Sequence, residues 1–109
     1  MGLTCALNVH MIRSMRYGWD PIKQRSNLKK HGVEFADAAI GLEDENALTV
    51  LDSGSETEYR YQTLCVGSEP NVLMVVHTEE IDGLITIISA RLAEPPERQQ
   101  YYEGIIYGY

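Results

Sequence analysis

The apolar positions along this chain change period once. Between Trp19 and Leu42 they recur at helical spacing, and from Ala47 onward they alternate or cluster as strands do. The stretch "WDPIKQRSNLKKHGV" predicts a helix over 21–31. Asp20 can accept the free amide hydrogens of its first turn, Pro21 fits the first helical position, and Gly32 supplies the left-handed residue that ends many helices. Ile22, Arg25 and Leu28 fall on one side of it. Lys29, Lys30 and His31 gather in the last turn, where the helix dipole favours cations. A second helix over about 35–42 would bury Phe35, Ala38, Ala39 and Leu42.

The strand-like runs are "ALTVLD", "YRYQTLCVG", "VLMVVHTE" and "LITIISARL", divided by the turn segments "SGSETE", "SEPN" and "EIDG". Four strands with short turns predict an antiparallel meander, and "MRYGW" at 15–19 adds one more strand at an edge. Pro95 and Pro96 then open a final helix over 95–103. Glu97 stands where a capping-box acid reaches back, although Glu94 is a poor substitute for the usual Ser or Thr cap. The expectation is an α+β domain: an antiparallel β-meander sheet with the N-terminal and C-terminal helices packed on one of its faces.

Length and composition narrow this picture. A chain of 109 residues has room for one core, so residues 15–109 are expected to form a single domain and residues 1–14 a dispensable leader. With 44% hydrophobic and 23% charged residues, and no apolar run near the ~18 residues needed to cross a bilayer, no membrane association is expected. Cys5 and Cys65 lack C-x-x-C spacing, and His10, His31 and His77 are scattered. Neither a disulfide framework, a metal site nor any cofactor is signalled, and the default setting is cytoplasmic.

A formal charge of −7 argues against nucleic-acid binding by bulk electrostatics, so any such contact has to be local. The charge is uneven: Arg13, Arg16, Lys23, Arg25, Lys29 and Lys30 precede an acidic stretch from Glu34 to Glu58.

Three side chains could carry chemistry. Arg91 ends the last strand, where a guanidinium can fork onto a phosphate, or can form a salt bridge to Glu97. Strict alternation places it on the side of Ile85, Ile87 and Ser89, opposite Thr86, Ile88 and Ala90. His77 ends the third meander strand and could exchange a proton near neutral pH, or be a partly buried, hydrogen-bonded histidine. Arg60, between Tyr59 and Tyr61, could contact a phosphate beside an aromatic surface, or pair across strands with a carboxylate. The four tyrosines of "QQYYEGIIYGY" could stack on a base, dock on a partner or pack over the sheet. Ser89 and Cys65 lack the neighbours that would activate a nucleophile, and no glycine-rich phosphate loop is present.

Trp19-Asp20-Pro21, Asn27-Leu28, Lys30-His31-Gly32-Val33, Phe35 with Ala38, Ile88-Ser89-Ala90-Arg91 and Glu97-Arg98 come in the order and spacing of a family pattern. Over about residues 15–104 the chain resembles the BrnT family of bacterial type II toxin–antitoxin systems. The resemblance implies a small ribonuclease toxin with a RelE-like fold. It would be neutralised by a BrnA-like ribbon-helix-helix antitoxin, as a homodimer or hetero-oligomer, and would meet DNA only through that complex. It further implies metal-free RNA cleavage by the substrate's 2′-hydroxyl. In that scheme Arg91 and Arg60 hold the phosphate, His77 or Glu97 handles a proton, and Lys30, His31 and Arg98 contact the RNA. Where family members often carry T-E-R and I-R-I-I-S-A-R, this chain has Thr78-Glu79-Glu80 and Ile85-Thr86-Ile87. Two expected cations are therefore missing. The competing expectation is a catalytically weak or inactive protein that acts mainly as the antitoxin-binding partner in operon autoregulation.

Overall fold

The computed structural model describes residues 8–12, 15–52, 59–80 and 82–107. The expected turn "SGSETE", Cys5, Tyr109 and the side chains of His10 and Tyr107 lie outside what is described. The elements run β1 (Asn8–Ile12), β2 (Met15–Trp19), α1 (Pro21–His31), α2 (Phe35–Gly41), β3 (Leu48–Asp52), β4 (Arg60–Val66), β5 (Val72–Glu79), β6 (Leu84–Leu92) and α3 (Pro95–Tyr107). The described strands form one sheet in the order β1-β2-β6-β5-β4-β3.

β3 to β6 pair antiparallel in sequence order, but β2 lies parallel to β6, so the sheet is mixed and not wholly antiparallel as expected. The cause is connectivity: between β2 and β6 the chain passes through two helices and the rest of the meander, and that long return permits parallel pairing. Nor is β2 an edge strand, because β1, from the segment expected to be a leader, pairs antiparallel along its outer side.

Helices cover both faces, which corrects the expectation of one. On the first face Phe35, Ala38 and Ala39 of α2 pack with Tyr17, Trp19, Cys65, Leu73, Val75, Ile87 and Ala90. On the second, Tyr101 of α3 packs with Leu64, Val72 and Met74. Neighbours along a strand point to opposite sides, so Leu64 and Cys65, or Met74 and Val75, serve different cores. Asp44, in the α2–β3 connection, ties the layers: Val66 N donates to its Oδ2 at 3.0 Å and the Tyr101 hydroxyl at 2.5 Å.

Two local features position the candidate site. β6 departs from strict alternation: its register steps from Val76↔Ser89 to His77↔Ile87, leaving Ile88 as the extra residue of a β-bulge. Also, β2 pairs with β6 only at Leu84, Ile85 and Thr86, leaving the next stretch of that β6 edge open. α1 fills it with a side chain. Asn27 Nδ2 donates to Ala90 O at 2.8 Å and to Val33 O at 3.0 Å, while Ala90 N donates to Asn27 Oδ1 at 3.2 Å. One amide thus replaces the missing strand and satisfies backbone groups that would otherwise be buried unpaired. Asn27 is the one fully buried residue of α1; Ile22 and Leu28 are exposed.

Candidate functional site

α1 begins and ends where the sequence indicates, with Ile22 N donating to Asp20 Oδ1 at 2.8 Å and Gly32 at φ 73° donating to Leu28 O at 2.8 Å. Because Asn27 docks it edge-on against β6, the helix lays Lys23, Lys30 and His31 beside Ile88 and Ser89, and together they line a shallow cleft of about 210 Å³. The helix itself has no acidic residue. Lys23 and Lys30 thus stand together beside the bulge of β6.

Arg91 lies two residues beyond Ser89 on the same face of the sheet. The bulge decides that face. Ile85 and Ile87 join Ala90 in the first core, so Arg91 and Ser89 point to the opposite side, together with Thr86. Strict alternation predicted the reverse relation of Arg91 to Ile85, Ile87 and Thr86. Arg91 is engaged: Nη1 and Nη2 donate to Glu97 Oε1 and Oε2 at 2.9 and 3.0 Å, a bidentate pair that is partly open to solvent. The Arg91 guanidinium holds the Glu97 carboxyl below the ordinary carboxylate range, and Glu97 in turn raises the pKa of Arg91. Glu97 also accepts from Glu94 N at 2.8 Å, closing the backward half of the capping box. One carboxylate thus starts α3 and clamps the strand-end cation. Arg98 Nη1 donates to Ala93 O at 3.0 Å in the same junction.

Arg60 is half-buried on the same face as Arg91, opposite Asp52 in the β3–β4 register, and lies two strands away from β6. His77 is elsewhere. It points into the other side of the sheet, 1% exposed, with Nε2 2.8 Å from Thr63 Oγ1 and its ring stacked on Tyr61 at a centroid distance of 5.8 Å. Burial lowers its pKa and outweighs the opposing pull of the Thr78 carbonyl and Glu79, so the ring is neutral near pH 7. Arg91, Glu97, Arg98 and Arg60 therefore share one face, Lys30 and His31 flank its β6 edge, and His77 is separated from all of them. Cys65 is fully buried and its thiol is pushed up to about 12, chiefly by burial, which leaves it inert.

Sequence reasoning did not single out Asn27 as the docking residue, nor Gln62, which lies on the Arg91 face between Val50 and Val76. The available signal for Asn27 was its place in the Asn27-Leu28 match to the family pattern. Nothing in the local pattern marks Gln62.

No curated protein sequence matches the chain. Its fold is similar to that of the crystal structure of the Brucella abortus ribonuclease toxin, BrnT. That match has a TM-score of 0.52 and 22% identity, covering 70% of this chain and 92% of the other. The family profile described as "Ribonuclease toxin, BrnT, of type II toxin-antitoxin system" matches residues 19–97, from the tryptophan that ends β2 to the carboxylate that clamps Arg91. Across that span, which includes both the helix docked by Asn27 and the Arg91–Glu97 pair, the chain belongs to the BrnT family of type II toxin–antitoxin ribonuclease toxins.

Proposed function

We propose that this chain is a cytoplasmic endoribonuclease of RelE-like fold that cuts RNA without a metal ion, using the substrate's own 2′-hydroxyl. The observation that carries this reading is the β6 edge, where Lys23, Lys30 and His31 of α1 meet Ser89 and, two residues on, Arg91. An RNA backbone following that edge meets Lys23 and Lys30, with His31 beside them, and its scissile phosphate rests on Arg91, with Arg60 and Arg98 on the same face. The Glu97 carboxylate takes the proton of the 2′-hydroxyl, whose oxygen bonds to phosphorus as the bond to the 5′-oxygen breaks. The 5′-oxygen leaves protonated by water, and a 2′,3′-cyclic phosphate remains. Arg91 stabilises the charge that builds on the phosphoryl oxygens. Proton transfer falls to Glu97 in preference to His77, because His77 is buried on the other side of the sheet.

The partner in this reading is a BrnA-like ribbon-helix-helix antitoxin, which brings the toxin to DNA as a hetero-oligomer and silences it. A second reading, a weak or inactive nuclease that mainly binds the antitoxin, is favoured by one specific feature: Glu97 already occupies Arg91 with two hydrogen bonds. An incoming phosphate has to displace it, and a carboxylate with a lowered pKa is a weak base.

The test is cleavage of a labelled single-stranded RNA by the purified chain and by Arg91→Ala, each with and without a chelator. The expected result is cutting that survives chelation and falls about 100-fold or more in the folded variant. Undiminished cutting by Arg91→Ala would sink the mechanism. Dependence on divalent cation would sink its metal-free form.

A further inference from the structure

The face of the sheet that carries Arg91 also holds a cavity which no step of the proposed reaction uses. Its floor is one cross-strand row: Leu48 pairs with Leu64 and Leu64 with Met74, and the next residue in that row is Arg91. Glu97 and Gln100 overhang it from α3, one helical turn apart on the same side. Gln62 borders it from the adjacent row of the sheet, and the space, open on one side to solvent, is about 530 Å³. That volume lies in the range of small-ligand pockets.

We infer that this cavity is the subsite for a base of the substrate RNA, and that Gln62 and Gln100 read that base's edge. The inference rests on the ribonuclease reading and adds to it the part of the protein that sets sequence preference.

The chemistry of the walls selects the occupant. A nucleobase has two flat π-faces and a polar rim. Leu48, Leu64 and Met74 offer a broad apolar surface for one face, and the Met74 thioether makes favourable contacts with aromatic rings. A primary amide offers a donor and an acceptor side by side, which matches the paired groups on a base edge. Gln62 is half-buried and Gln100 exposed, and neither amide is engaged by another side chain among the described residues. Sequence-specific RNA recognition generally works on unstacked single-stranded bases read in this way.

Position adds a second argument. Arg91 lies one strand beyond Met74 and two beyond Leu64, which places its backbone about 10 Å across the sheet from that of Leu64. A nucleotide whose base lies on Leu64 and Met74 therefore extends its phosphate toward Arg91. The Glu97 carboxylate that clamps Arg91 is also part of the cavity wall, so the pocket and the strand-end cation are parts of one surface. An apolar side chain from a protein partner would fit the floor but leave both amides without partners, which costs free energy where they are desolvated.

The experiment follows the methyl resonance of Met74 in the full chain, labelled at methionine methyls, during titration with the four ribonucleoside 3′-monophosphates. The expected result is a Met74 shift with every nucleotide that enters, one base binding about tenfold more tightly than the least favoured. In Gln62→Leu, which keeps the size of the side chain and removes its donor and acceptor, that preference should shrink to less than about threefold while Met74 still responds. Gln100→Leu serves as the second variant, with the dispersion of the remaining methyl signals as the folding control. RNA cut-site mapping with the same variants should show a matching relaxation of base preference.

A Met74 signal that no nucleotide moves overturns the inference. So does base-independent binding, an unchanged preference in both variants, or a signal that responds only to an antitoxin. If RNA is cut while Met74 stays silent, the pocket is wrong and the ribonuclease reading stands. If Met74 reports base-selective binding but no RNA is cut, the pocket stands and the mechanism falls.

Discussion

His77 shows how one residue's surroundings decide its role. It is packed beneath the Tyr61 ring, hydrogen-bonded to Thr63, and carries a pKa lowered chiefly by burial from its ordinary 6.5. A group with a depressed folded-state pKa contributes stability that is fully present above the unfolded value. That contribution is lost as pH falls from the unfolded pKa toward the folded one, because the unfolded chain then binds the extra proton. Below about pH 6.5 the protein should therefore lose stability by an amount traceable to His77. His77→Gln, which removes the titrating group, is expected to be less stable at pH 7 yet to show a smaller drop between pH 7 and pH 5. Urea unfolding midpoints of both proteins at the two pH values measure this, and parallel drops would show that His77 is not the responsible group. Arg91 makes the complementary case. Residue spacing left two alternatives for it, a phosphate contact or a salt bridge to Glu97, and the structure shows the Glu97 pairing.

At the scale of elements, caps and turns were the most legible features, because they rest on local chemistry: Asp20, Pro21 and Gly32 bound α1, and Glu97 reaches back to start α3. The meander strands followed from alternation. What alternation could not supply was the Ile88 bulge, since an extra residue in a strand leaves no local mark in so apolar a run, yet it reverses the side to which Arg91 points relative to Ile85 and Ile87. The parallel pairing of β2 was hidden for another reason, being a contact between residues far apart in sequence. Element joints also set a testable limit on size. Gly67, at the turn after β4, passes so close to α2 that a Cβ there would stand 2.4 Å from Asp37 O and 2.6 Å from Asp37 Oδ1. The same carboxylate oxygen accepts from Ser68 N at 2.6 Å and from the Ser68 hydroxyl at 2.5 Å, so neither partner can move away without breaking the joint. Gly67→Ala should lower stability by about 1–3 kcal/mol or more. An unchanged denaturation midpoint would mean that the α2–β4 contact yields easily.

For the molecule as a whole, the question raised by the proposed RNA cleavage is how a chain of formal charge −7 would attract RNA, and the arrangement of the sheet bears directly on it. The bulge places Thr86 and Arg91 on one face, and Thr86 Oγ1 donates to Glu80 Oε2 at 3.5 Å, so positions 80 and 86 adjoin at the far end of the surface that carries Arg91. Both lack the cations that the family pattern often places there. On the proposed ribonuclease reading, each phosphate contact absent at these positions weakens the salt-dependent attraction for RNA in a protein that already carries a net negative charge. Antitoxin binding need not suffer, since an acidic surface can meet a basic or mixed partner by charge complementarity. We therefore expect slow RNA cleavage by the parent chain, faster cleavage by Glu80→Arg and by Thr86→Arg, and retained affinity for the antitoxin. Because the two side chains touch, the double variant is expected to depart from additivity. Cleavage of a single RNA at several salt concentrations provides the measurement, and each arginine that contacts a phosphate should steepen the log–log dependence on salt by about 0.7. Brisk cutting by the parent with no gain from either arginine would show that positions 80 and 86 lie off the RNA path, which would confine the path to the α1 cleft and the Arg91 end of β6.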